Sequence, residues 1–75
     1  MKKVAIGSGV LIRFGGEKEI EKFIIVNPNN ANFLTKRISS DSPFGKAVFN
    51  RTSGEVVYYL TPIGKKMGCK IVRVE

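Results

Sequence analysis

Histidine and tryptophan are absent from this 75-residue sequence, cysteine occurs once, and acidic side chains are few. Without histidine, Cys-His and Ser-His nucleophilic catalysis are excluded, because no imidazole is present to take the nucleophile's proton. A single cysteine excludes an internal disulfide and makes a dedicated zinc site improbable. Cys69, between Gly68 and Lys70 in an apolar-rich stretch, reads as a small core residue rather than a nucleophile. No uninterrupted apolar run reaches the roughly 20 residues that a membrane span needs. The run after Lys2 and Lys3 is broken by Gly7, Ser8 and Gly9, unlike a secretory signal. A cytoplasmic protein without membrane association is therefore expected, and the Asn50-Arg51-Thr52 sequon has no role in it.

What is abundant is positive charge. Thirteen Lys and Arg stand against six Asp and Glu, a net charge of +7. On so small a body this favours encounter with nucleic acid or with an acidic protein surface. The cations are scattered, with adjacent pairs at Lys2-Lys3, Lys36-Arg37 and Lys65-Lys66 and no long basic run. Charge gives the sign of a partner and not its identity. The length suits one domain over residues 1–75, near the lower limit for folding alone, where burial and chain entropy almost cancel.

Val10, Ile12 and Phe14 alternate with Leu11 and Arg13, the two-residue period of a strand. Gly15 to Lys18 turns the chain, and Ile20 to Val26 forms a second strand that Asn27-Pro28-Asn29-Asn30 stops. A third strand is expected over Phe33 to Ser39, with Leu34 and Ile38 as its apolar contributions. Ser42-Pro43 has the form of a helix start: a serine oxygen accepts from orphan backbone N–H groups, and proline fits the first turn. Phe44, Ala47 and Val48 then share the inner face of a short helix that Phe49 extends. Strands follow over Glu55 to Leu60 and Cys69 to Val74. The predicted class is α+β, a mainly antiparallel sheet of about five strands with one short helix on one face.

Three motifs suggest chemistry and fall short of it. Val4-Ala5-Ile6-Gly7-Ser8-Gly9 opens like a dinucleotide fingerprint, but Ile12 holds the place of the third glycine and a strand follows where a helix is required. Glu17, Glu19 and Glu21 lie among Lys18 and Lys22 as a solvated edge, and Asp41 and Glu55 supply no apolar-shielded pair for acid–base or two-metal work. Tyr58 and Tyr59 must point to opposite sides of their strand, so one is outward and could stack a base. No catalytic residue, no cofactor and no metal is expected.

The most informative segment runs from Ile38 to Phe49. Capping accounts for part of it, yet Ser39, Ser40, Asp41 and Ser42 offer more polar groups than a cap requires. A carboxylate, a hydroxyl and a rigid proline ring beside Phe44 make a reasonable protein-docking patch.

Ile38-Ser39-x-x-Ser42-Pro43-Phe44-Gly45-x-Ala47-Val48 is similar to the Ile-Ser-x-x-Ser-Pro-Leu-Gly-x-Ala-Leu signature of the C-terminal domain of Gre-type transcription elongation factors. Ile6-Gly7-Ser8-x-Val10, Ile25-Val26, Gly54-Glu55-Val56, Thr61-Pro62-x-Gly64 and Ile71 to Val74 extend the resemblance over essentially the whole chain. It implies an FKBP-like fold and a bacterial module that docks on RNA polymerase at the rim of the secondary channel. The family's docking loop falls on Asp41, Ser42 and Pro43. Phe44 stands where leucine is commoner and is included in the expected contact, and Asn50 stands where glycine is usual. About nine residues precede the first strand, with no heptads and no acidic pair, so the resemblance does not extend to transcript cleavage. The expected function is thus polymerase docking by a non-catalytic regulator, with direct nucleic-acid contact secondary. The alternatives are a small basic nucleic-acid-binding domain and a prolyl isomerase, the latter needing an apolar aromatic pocket usually built around a tryptophan.

Overall fold

The structure, a computed structural model, describes residues 2–75. Its strands are β1 (Gly9–Phe14), β2 (Glu21–Val26), β3 (Arg37–Ser39), β4 (Val56–Leu60) and β5 (Lys66–Val74), with one α-helix, α1 (Pro43–Val48), and single 3-10 turns at Pro28–Asn30 and Phe33–Thr35. The strands form one sheet in the order β3-β2-β1-β5-β4. Only β3 runs parallel to its neighbour β2; the other three pairings are antiparallel. The α+β class and the five strands with one short helix are those the sequence predicts. No helix among the described residues is long and apolar enough to cross a membrane.

Alternation sorts the side chains between two faces. Val10 and Ile12 of β1, Phe23 and Ile25 of β2, and Cys69 and Ile71 of β5 are buried, while Arg13, Lys22 and Lys70 point outward. The β1–β5 register slips by one residue between Leu11 and Ile12: Leu11 faces Arg73, but Ile12 faces Ile71. Val72 is thus the extra residue of a bulge, which turns Val74 into the core and leaves Arg73 in solvent.

Helix α1 starts as its sequence requires. Ser42 is the N-cap, its oxygen accepting from the Gly45 N–H, and Pro43 opens the first turn. Phe44 and Val48 face the sheet and are buried. Burying two such side chains contributes roughly 3–6 kcal/mol, which offsets the cost of nucleating a helix too short to persist alone. Phe49, expected to extend the helix, instead caps it with an extended backbone and is partly exposed. Asn50 then takes the left-handed conformation (φ 64°), which asparagine tolerates better than most residues and glycine best of all. Its N–H donates to the Val4 carbonyl at 2.8 Å, and the Val4 N–H donates to Arg51 O at the same distance. The N-terminal segment is thereby tied to the helix exit, with Val4 sealed beneath it.

The strand expected over Phe33 to Ser39 is reduced to Arg37–Ser39. Asn32 Oδ1 accepts from the Leu34 N–H and starts a 3-10 turn, and Lys36 at φ 61° ends it. An asparagine side chain bonding its own backbone competes with the sheet ladder. Leu34 therefore projects into solvent at 92 % exposure and supports nothing in the core.

Candidate functional site

The corner between β3 and α1 is held by a dense set of local hydrogen bonds. Ser39 O accepts from both the Ser42 N–H (3.1 Å) and the Ser42 hydroxyl (2.7 Å). Ser39 Oγ accepts from the Asp41 N–H at 3.0 Å, and the Ser40 N–H donates to Val26 O at 2.9 Å, anchoring the corner to β2. Gly45 completes it: a Cβ there would lie 2.0 Å from Ser39 O, so only glycine lets the helix come this close to the strand. Ser39, Ser42, Pro43 and Gly45 are thus accounted for by geometry: acceptor, cap, first-turn ring and missing side chain.

Asp41 is left over. Its carboxylate makes no hydrogen bond and no ion pair among the described residues, and it is exposed on top of the corner. Pro43 beside it is also exposed. Ser42 is half-buried, with its hydroxyl committed at both ends. Phe44, expected to join the docking contact, is in the core instead. Its ring centroid lies 6.0 Å from Phe14, 5.2 Å from Phe23 and 5.4 Å from Tyr59, and the little surface it keeps faces a groove on the core side of the sheet rather than the corner. The helical period that puts it inward with Val48 decides the matter.

A shallow groove beside the corner is lined by Ile6, Asn27, Ser40, Asp41, Lys46 and Phe49. Ile6 and Phe49 are both more than 40 % exposed. Sequence reasoning missed this pair. Phe49 follows the inward-facing Ala47 and Val48 and reads as more helix until the chain bends at Asn50; Ile6 sits beside the Gly7 turn, whose N–H donates to Ile25 O at 2.7 Å. The result is an acid and a proline ring next to exposed apolar surface, with the Lys46 cation on the groove wall.

A second groove opens on the core side of the sheet, among Phe14, Phe23, Phe33, Phe44, Tyr59 and Met67, with the Lys36–Glu21 ion pair at its mouth. Phe14 and Phe23 meet edge to face, and Lys36 Nζ sits 5.0 Å from the Phe23 ring centroid. The lack of tryptophan therefore does not remove the apolar aromatic pocket that a prolyl-isomerase reading requires: phenylalanines and a tyrosine build one. Burial, aided by Cys69, pushes the Tyr59 hydroxyl pKa up and keeps the group neutral. Among the described residues no group of three or more His, Cys, Asp or Glu side chains is placed to hold a metal ion.

The family described as "Transcription elongation factor, GreA/GreB, C-term" matches residues 1–75. The transcription elongation factor GreA of Thermotoga sp. (strain RQ2) is 40 % identical over 62 residues, covering 83 % of this chain and 40 % of that protein. GreA of Streptococcus sanguinis (strain SK36) is 37 % identical over 73 residues, 97 % of this chain and 45 % of its own length. Among solved structures, the GreA factor homolog 1 (Gfh1) protein of Thermus thermophilus superposes with a TM-score of 0.82 at 32 % identity, over 99 % of this chain and 49 % of that one. The chain thus spans less than half the length of these relatives. From the sequence signature, the corner it builds and these matches together, the chain belongs to the GreA/GreB family of transcription elongation factors and corresponds to their C-terminal domain.

Proposed function

We propose that residues 1–75 act as one Gre-type C-terminal domain that docks on bacterial RNA polymerase in the cytoplasm, near the rim of the secondary channel, through the corner carrying Asp41 and Pro43. The observation that carries this reading is the uncommitted Asp41 carboxylate on a corner that the Ser39 and Ser42 side chains fix through internal hydrogen bonds. A rigid, pre-organised contact loses little conformational entropy on binding. Ile6 and Phe49 supply adjacent apolar area, and an acid beside apolar surface suits a partner patch of opposite charge. Ser42 serves by setting the corner and Phe44 by holding the helix to the sheet, so both act on docking through structure.

In this reading the chain is a regulator without catalysis of its own. These residues anchor, and stimulation of transcript cleavage belongs elsewhere in full-length relatives. The direct test is competition. Added in excess to core polymerase with a full-length Gre factor, the chain should lower the cleavage rate that factor supports, and should stimulate no cleavage when added alone. Undiminished cleavage at saturating chain would remove the claim of a shared docking site.

A further inference from the structure

The sheet face turned away from α1 has a character that docking through Asp41 does not use. Arg13, Lys66, Lys70 and Arg73 all project from it and are exposed. Lys70 lies opposite Arg13 on β1 and Val56 on β4, Lys66 opposite Leu60, and Arg73 opposite Leu11. The ion pairs among the described residues are Lys22–Glu75, Lys36–Glu21 and Arg51–Glu55, so these four cations have no carboxylate partner. Glu75, at the end of β5, is committed to Lys22 at 2.7 Å.

Tyr58 sits among them. It pairs with Gly68, and a Cβ on that glycine would meet the Tyr58 ring at 2.9 Å, so the ring lies across the bare strand. One π face is thus packed on backbone while the residue remains 60 % exposed, with Lys66 Nζ 4.8 Å from the ring centroid. Beside the ring runs a groove bordered by Arg13 and Lys70, by Gly15, Gly16 and Gly68, and by Glu17 at its β1–β2 end. The three glycines leave it without side-chain walls at those points.

We propose that this face binds single-stranded nucleic acid, with one base stacked on Tyr58 and the phosphates held by Arg13, Lys66, Lys70 and Arg73. A flat array of unpaired cations around a fixed aromatic ring is the pairing of backbone and base contacts that such strands require. An acidic peptide would use the cations but leave the ring and the glycine groove without a purpose. A duplex keeps its bases stacked away from the ring. The four cations project from the face opposite the layer that contains α1, and at the β4 edge Tyr58 shares a groove with Pro43 and Lys46.

The test is fluorescence anisotropy with end-labelled oligothymidylate and oligouridylate of about 15 nucleotides, a length within the usual site range, the two arms distinguishing DNA from RNA. With four phosphate contacts the log–log salt slope should be about −2.8, so affinity should fall roughly fifty-fold between about 50 and 200 mM salt. Tyr58→Ala should weaken binding about ten-fold, as expected for one lost stacked base, while Tyr58→Phe should not. Because Tyr58→Ala also uncovers Gly68, Lys70→Glu provides a second probe: it should weaken binding and flatten the slope. Lys18→Glu, the same charge change in the β1–β2 turn, should have a much smaller effect. No binding at low salt, equal losses from Lys18→Glu and Lys70→Glu, or a folded Tyr58→Ala with unchanged affinity would each overturn the proposal. So would displacement of the oligonucleotide by oligoglutamate of equal charge, which would assign the face to an acidic protein segment instead.

Discussion

Gly45 occupies a helical position where alanine would ordinarily be worth about 0.5–1 kcal/mol of extra stability. Here the sign should reverse, because the added methyl would lie 2.0 Å from the Ser39 carbonyl oxygen. Gly45→Ala is expected to cost about 1–3 kcal/mol through overpacking, and thermal melting should report it as a drop of about 4–8 °C per kcal/mol. Cys69 makes a second residue-scale prediction. Burial pushes its thiol pKa from 9.0 up to about 11, so the folded state holds its proton where the unfolded chain has released it. The stabilisation is complete below pH 9 and lost as pH rises through the window up to about 11. Denaturant midpoints should fall across that window in wild type and fall less in Cys69→Ala. At this scale the sequence was legible wherever a residue's role is local: the Ser42 cap, the Pro43 first turn and the core placement of Cys69 all follow from near neighbours. Phe44 carried two conflicting signals. Its spacing with Ala47 and Val48 points inward and its adjacency to Pro43 suggests contact, and packing against three other rings settles it inward.

The elements divide between those that specify themselves and those that borrow their form. Strands β1 and β2 alternate cleanly and sit where their pattern puts them. Helix α1 exists because its cap and its buried face agree. Ser42→Ala should therefore cost about 1 kcal/mol through loss of the cap, with a further loss because the Ser42 hydroxyl also donates to Ser39 O at 2.7 Å; chemical denaturation would show a lower midpoint at unchanged slope. The segment before β3 shows the opposite case. Phe33 and Leu34 look like strand residues, but the Asn32 side chain captures the backbone first and the left-handed Lys36 redirects it. With Leu34 almost fully exposed, Leu34→Ser should change stability by less than about 0.5 kcal/mol. A loss of several kcal/mol on the same denaturation curves would mean that the segment packs as the strand its composition suggests.

Across the whole molecule, the pairing order was the least legible feature. That β5 lies inside the sheet, between β1 and β4, depends on its pairing with β1 near the other end of the chain, and no local pattern encodes that pairing. The bulge at Val72 is likewise set by the need to bury Val74 against partners far away in sequence. The groove beside the corner has the same origin: Ile6, Asn27 and Phe49 are scattered along the chain and meet because Val4 is tied to the helix exit and Gly7 to Ile25 of β2. The sequence signature could locate the corner but not its apolar flank. The net charge of +7 belongs to the molecule as a whole and speeds encounter with any polyanion, so it cannot by itself single out the proposed polymerase contact.

Asp41 isolates that contact, because its side chain supports nothing in the fold. The deciding measurement is the affinity of purified wild type and Asp41→Ala for immobilised core RNA polymerase, with melting temperatures recorded in parallel. Binding by wild type, weakened ten-fold or more in a variant that melts within a few degrees of it, is the predicted result; a ten-fold loss corresponds to about 1.4 kcal/mol at a single contact. Equal affinity of the two proteins, or no binding by either, would contradict the account.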